Sequence, residues 1–150
     1  MIVVSNTSPL INLFAVGQVE LLHRLYGKVL IPQAVYHEIA ISGAGQAGSQ
    51  EIQQLEWIEV SAVTDRALVS ALQAELDAGE AEALVLAVEQ RSDLLLLDER
   101  QGRHVASRLG LKYIGLLGVL LAAKQQGQIA TVKSILDELI VRAGFWVSPA

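Results

Sequence analysis

The sequence predicts a three-layer αβα sandwich built on a central parallel sheet. Short apolar runs alternate with helical segments along the chain, the order expected when helices cover both faces of parallel strands. One run, Leu94–Leu97, is four consecutive leucines held between Asp93 and Asp98, the pattern of a strand buried on both faces. The 150 residues, 52% of them hydrophobic, suffice for one core and leave little for a second, so residues 1–150 are read as a single domain.

The elements follow in order. Ile2–Val4 is short, apolar and β-branched, as a buried strand is. Ser8 is placed to cap a helix with Pro9 at its first position, running to Phe14 before Gly17. A second helix covers about Val19–Tyr26 and stops at Gly27. Val29–Ile31 is the next strand, ended by Pro32, and a helix is expected over Gln33–Ile41. Ser42–Gln50 holds three glycines in nine residues and reads as an exposed loop. Trp57–Val60 suits a strand and Arg66–Ala74 a helix. Leu76–Gly79 reads as a turn before a helix over Glu80–Gln90. After Leu94–Leu97 come a helix over Gln101–Leu109, a short strand at Tyr113-Ile114, and helices over Leu116–Gln126 and Thr131–Val141. Phe145–Ser148 is expected as a last edge strand. Trp57, Trp146, Phe14 and Phe145 read as core or interface residues, since they are not interleaved with basic ones.

Composition narrows the chemistry. With 18% charged residues and this apolar content, disorder is excluded. The absence of cysteine excludes disulfides, thiolate zinc sites, iron–sulfur clusters and a Cys nucleophile. Three histidines, His23, His37 and His104, lack metal-motif spacing, so any metal would be held mainly by oxygen. The formal charge of −5 argues against nucleic-acid binding by bulk charge alone. The longest apolar stretch, Leu116–Ala123, falls well short of the ~20 residues needed to span a membrane. No basic n-region precedes an apolar segment at the N-terminus, and a cytoplasmic setting is expected.

In parallel α/β sheets, ligands bind beyond the carboxyl ends of the strands. Four places there carry oxygen donors. Asn6 follows the first strand, Glu38 lies in the helix after the second, Glu80 and Glu82 open a later helix, and Asp98 and Glu99 follow the leucine strand. Carboxylates converging at one edge suit Mg²⁺ or Mn²⁺, which can activate water and neutralise a phosphodiester's charge. Each residue also has a plainer reading. Asp98 could cap the next helix. Glu38 could sit at an exposed rim. Glu80 and Glu82 could complement a helix N-terminus. Positions i and i+2 do not share a helix face, so Glu80, aligned with Ala83, Leu84 and Ala87, is preferred as the inward carboxylate and Glu82 is second choice. Arg100, His104 and Arg108, spaced by four with Arg103 beside them, form either a phosphate-binding stripe or a solvated helix face.

These segments resemble the PIN domain, the fold of metal-dependent ribonucleases that includes VapC-type toxins. The resemblance spans nearly the whole chain. It rests on Val3-Val4-Ser5-Asn6-Thr7-Ser8-Pro9-Leu10, on Ile31-Pro32 with Val35 and Glu38-Ile39, on Gly79-Glu80-Ala81-Glu82-Ala83, and on Leu95-Leu96-Leu97-Asp98-Glu99 followed by Gly102-Arg103. Gly115-Leu116-Leu117-Gly118 through Lys124 looks like a PIN-like branch often found beside antitoxin genes. The resemblance implies an acidic metal-binding cluster at Asn6, Glu38, Glu80 and Asp98, with Glu82 and Glu99 as second choices. It implies one or two Mg²⁺ or Mn²⁺ ions, RNA as substrate, an antitoxin protein as partner and a homodimer. Asn6 departs from the family's usual Asp. It keeps a carbonyl donor but loses a charge on which cation affinity depends.

Three functions therefore stand as expectations. The first is a metal-dependent endoribonuclease, the toxin half of a toxin–antitoxin pair, with Arg100, Arg103, His104 and Arg108 against the RNA backbone. The second is a weakened PIN-like module that binds RNA or a protein without cutting. The third, least favoured, is another αβα enzyme such as a phosphatase or receiver domain. The first strand offers Asn6 where a phosphate-accepting Asp is expected, and no GxxxxGK[ST] loop is present.

Overall fold

The structure, a computed structural model, describes residues 1–144. Five parallel strands form one sheet in the order β3-β2-β1-β4-β5: β1 (Val3–Ser5), β2 (Val29–Pro32), β3 (Ile58–Ser61), β4 (Leu94–Leu96) and β5 (Tyr113–Ile114). The helices are α1 (Thr7–Ala15), α2 (Glu20–Tyr26), α3 (Gln33–His37), α4 (Arg66–Leu72), α5 (Ala78–Gln90), α6 (Arg100–Arg108), α7 (Leu116–Gln125) and α8 (Val132–Arg142). This is the three-layer αβα sandwich read from the sequence.

Side-chain alternation along the strands divides the core in two. Val3, Leu94 and Leu96 join Leu10 of α1, Leu21 and Leu22 of α2, Leu120 of α7 and Leu139 of α8 on one face. Val4, Leu95 and Leu97 join Val69 of α4, Leu84 of α5 and Val105 of α6 on the other. Both faces of the leucine run are therefore covered, which is why it contains no polar residue.

The chain leaves β1 toward β2 and β3, then returns across β1 to β4. The order thus switches beside β1, and a crevice opens at the carboxyl ends of β1 and β4. Val3, Val4 and Ser5 pair in register with Leu94, Leu95 and Leu96, and the Asn6 amide donates to the Leu96 carbonyl at 3.0 Å. Asn6 and the residues after Leu96 are thereby set side by side.

Several boundaries differ from the sequence reading, each for a local reason. Helix α1 starts at Thr7 with Asn6 at its N-cap, so Ser8 and Pro9 lie inside the first turn instead of at the cap and first position. The helix expected over Gln33–Ile41 is regular only to His37 and continues as a π-helical turn over Glu38–Ser42. Helix α4 ends at Leu72, before the expected Ala74. The expected turn at Leu76–Gly79 is the start of α5. The Asp77 carboxylate accepts the Glu80 amide at 2.8 Å, and the Glu80 carboxylate reaches back to the Asp77 amide at 3.5 Å, a capping box that draws Ala78 and Gly79 into the helix. The loop at Ser42–Gln50 is not wholly exposed. Gly48 and Ser49 are buried, and Gly48 (φ +86°) lies so close to the Phe14 ring that a Cβ would overlap it. Phe14 and Trp57 pack against the first core. Phe145, Trp146 and the edge strand expected at Phe145–Ser148 lie outside the described residues.

Candidate active site at the sheet edge

Two openings meet at the carboxyl edge. A cleft of about 280 Å³ is lined by Asn6, Thr7, Glu38, Asp77 and Glu99. A larger groove of about 960 Å³ runs beside it between α6 and α7, lined by Asp98, Glu99, Arg100, Arg103 and His104, with Leu117 and Leu121 on the α7 side. Ser8, Asn12 and Glu99 border both.

Asn6 is buried, at 3% exposure, where the chain passes from β1 into α1; it holds the N-cap position without a side-chain capping hydrogen bond. Glu38 opens the π-helical turn. Its Oε2 accepts the Thr7 hydroxyl at 2.5 Å, and its carboxylate lies against Gly79, where a Cβ would collide with it. Thr7 and Gly79 are not among the site residues read from the sequence, and their neighbour in space, Glu38, is distant from both along the chain.

Glu80 lies under Gly102 of α6, where its Oε2 would be 3.1 Å from an added Cβ. That oxygen is buried and has no hydrogen-bond partner. Burial first, then repulsion from Asp77, pushes the Glu80 carboxyl up to about 7, and Glu99 adds to the rise. Asp77 thus belongs to the site as well. The Asp-x-x-Glu spacing ahead of an apolar helix was the signal for it.

Asp98 does not cap α6, whose N-cap is Glu99. Its Oδ1 accepts the Leu116 amide, the first of α7, at 2.9 Å, while Oδ2 is buried without a partner. Burial raises its carboxyl above the usual Asp range, against the Leu116 hydrogen bond and the positive Arg103.

Glu82 sits apart from these. Its Oε1 accepts the Ala34 amide at 3.0 Å and its Oε2 takes an ion pair from Arg66 at 2.8 Å. It ties α5 to the unsatisfied first turn of α3 and to α4, which explains how a glutamate tolerates 8% exposure.

The basic stripe divides. Arg108 pairs with Glu75 at 2.7 Å. Arg103 donates through Nε to the Leu97 carbonyl at 3.0 Å, stands 3.6 Å from Asp98, and covers the Tyr113 ring at 5.7 Å. Arg100 and His104 remain exposed on the groove wall.

Among the described residues, no group of three or more His, Asp or Glu side chains is drawn close enough to hold a metal ion by itself. A protein cage is not needed for Mg²⁺, which commonly takes one or two carboxylates and completes its shell with waters and substrate phosphates. Two half-buried carboxylates, Glu80 and Asp98, each with one buried oxygen lacking any partner, fit that need. A buried acceptor left unpaired is costly unless a proton or cation meets it.

A family model described as a PIN domain matches residues 2–150. The chain belongs to the PIN-domain family, whose members are generally nucleases that use divalent metal ions. No curated protein matches the chain. Among the described residues, no helix is long and apolar enough to cross a membrane.

Proposed function

We propose that this PIN domain is a divalent-metal-dependent endoribonuclease acting as the toxin of a toxin–antitoxin pair. The observation that carries the nuclease reading is the pair of buried, partnerless oxygens, Glu80 Oε2 and Asp98 Oδ2, at the switch-point edge of a sheet of this family. The toxin assignment rests on the likeness of the Gly115–Lys124 region to the antitoxin-linked branch.

Glu80 and Asp98 would hold Mg²⁺ or Mn²⁺, with Glu38 and the Asn6 carbonyl oxygen beside them and Glu99 at the rim. When bound, such an ion supplies a water of lowered pKa and offsets charge on the scissile phosphate. The residues of the chain do the rest. Thr7 and Gly79 hold Glu38 on the cleft wall. The Leu116 amide holds Asp98 at the end of β4. Arg100 and His104 offer the groove's exposed cationic and hydrogen-bonding groups to the RNA backbone, whereas Arg103 and Arg108 are engaged within the chain. In the cell, an antitoxin would cover this groove, and the cytoplasm and a homodimer are the expected setting.

A second reading has specific support. Asn6 lacks the carboxylate expected at its position, and among the described residues no three-ligand group stands preformed. Both favour a weakened module that binds RNA without cutting. Cleavage of a mixed RNA pool with Mn²⁺, comparing the native chain with Asn6→Asp and Asp98→Ala, separates the two. Cleavage lost in Asp98→Ala and raised in Asn6→Asp supports a nuclease. RNA binding with no cleavage by either the native chain or Asn6→Asp supports the module.

A further inference from the structure

Arg103 is held at three points, two on the Leu97–Asp98 segment and one on β5. Its Nε donates to the Leu97 carbonyl at 3.0 Å, so it grips the peptide that leads into Asp98. Its Nη2 stands 3.6 Å from Asp98 Oδ1, an ion pair rather than a hydrogen bond. Its guanidinium lies 5.7 Å from the centre of the Tyr113 ring on β5. Gly115, the N-cap of α7, leaves room for it, since a Cβ there would overlap Nη2. Meanwhile the Leu116 amide takes Asp98 Oδ1. One oxygen of Asp98 is therefore committed to protein groups and the other has none.

We infer that Arg103 is a positioning residue. It fixes the Leu97–Asp98 peptide and the Oδ1 side of the carboxylate, so that Asp98 presents Oδ2 alone as a one-oxygen ligand for a divalent cation. This rests on the metal-dependent reading above. It assigns Arg103 to the support of the site instead of to the RNA. Only a planar, forked cation can bond a carbonyl through Nε and face a carboxylate through Nη2 together, so lysine is not equivalent here.

The test is a calorimetric Mn²⁺ titration of the full chain, with the metal-free melting temperature of each variant beside it. Arg103→Met should weaken Mn²⁺ binding about 10- to 100-fold, as loss of a group orienting a metal ligand does. Arg103→Lys should not restore it. Lys124→Met, which removes one positive charge from α7, should bind as the native chain does. Tighter binding in Arg103→Met would show that Arg103 only repels the cation and would overturn the inference. A lowered melting temperature with unchanged Mn²⁺ affinity would overturn it too, as a purely structural role. If Arg103→Met does not fold, Tyr113→Leu loosens the same guanidinium. It should weaken binding about two- to fivefold, and no change would count against the inference. Absence of binding by the native chain would sink the metal reading itself, and with it any ligand for Arg103 to position. That failure is visible in the native titration alone.

Discussion

The Thr7 hydroxyl donates to Glu38 Oε2 at 2.5 Å, joining the first residue of α1 to the first residue of the π-helical turn. The two residues are 31 apart in sequence. The bond holds a carboxylate at the cleft beside Asn6, where a free Glu side chain would otherwise sample several rotamers. Thr7→Val keeps the shape and removes the donor. It should lower stability by about 1 kcal/mol, read from urea midpoints, and should weaken Mn²⁺ binding. Unchanged affinity would place Glu38 outside the cation's reach.

Gly79→Ala should separate stability from function. Within a helix this change ordinarily stabilises by about 1 kcal/mol. Here the new Cβ overlaps the Glu38 carboxylate, the movable end of a side chain. The melting temperature should hold or rise while Mn²⁺ affinity falls about tenfold. A variant that melts lower and binds normally would contradict this packing.

Glu80 makes stability depend on pH. Its carboxyl is raised from 4.5 to about 7, chiefly by burial. The folded state therefore binds more protons than the unfolded one in that window, and stability falls as pH climbs from 4.5 to about 7. Glu80→Gln should flatten the slope of urea midpoint against pH. Cation binding runs the other way because it needs the ionised carboxylate, so Mn²⁺ affinity of the native chain should rise from about pH 6 to about pH 8. Affinity independent of pH across that range would remove Glu80 from the ligand set.

Glu82 should behave as a strut. Glu82→Ala leaves the Ala34 amide and the Arg66 guanidinium without their acceptor. The expected cost is about 1–3 kcal/mol of stability, with Mn²⁺ affinity of the folded protein unchanged. Loss of metal binding without loss of stability would return Glu82 to the metal site.

The parts legible in the sequence were those that depend on a short stretch of chain. Leu94–Leu97 announces a doubly covered strand because a strand buried on both faces favours a continuous apolar run, and Asp98 then falls at its carboxyl edge. Helix starts were less legible. Gly79 suggests a turn, yet it is retained in α5 because only a residue without Cβ leaves space for Glu38. Glu82 reads in the sequence as a second-choice ligand off the face of Glu80, but α5 is packed by α3 and α4 on its side and the residue is buried. The spacing of Arg100, His104 and Arg108 was visible, but not the division of labour among them. Arg103 answers to Leu97, Asp98 and Tyr113, and Arg108 to Glu75, contacts that only the folded topology brings together.

The most direct measurement is calorimetric titration of the full chain with Mn²⁺ at about pH 8, with Asp98→Ala and Glu80→Gln alongside. It requires no knowledge of the RNA. Saturable binding by the native chain that is lost in Asp98→Ala and weakened in Glu80→Gln is the expected result, because each variant removes one of the two carboxylates that carry a partnerless buried oxygen. Equal binding by all three chains would contradict a cation site built on these carboxylates.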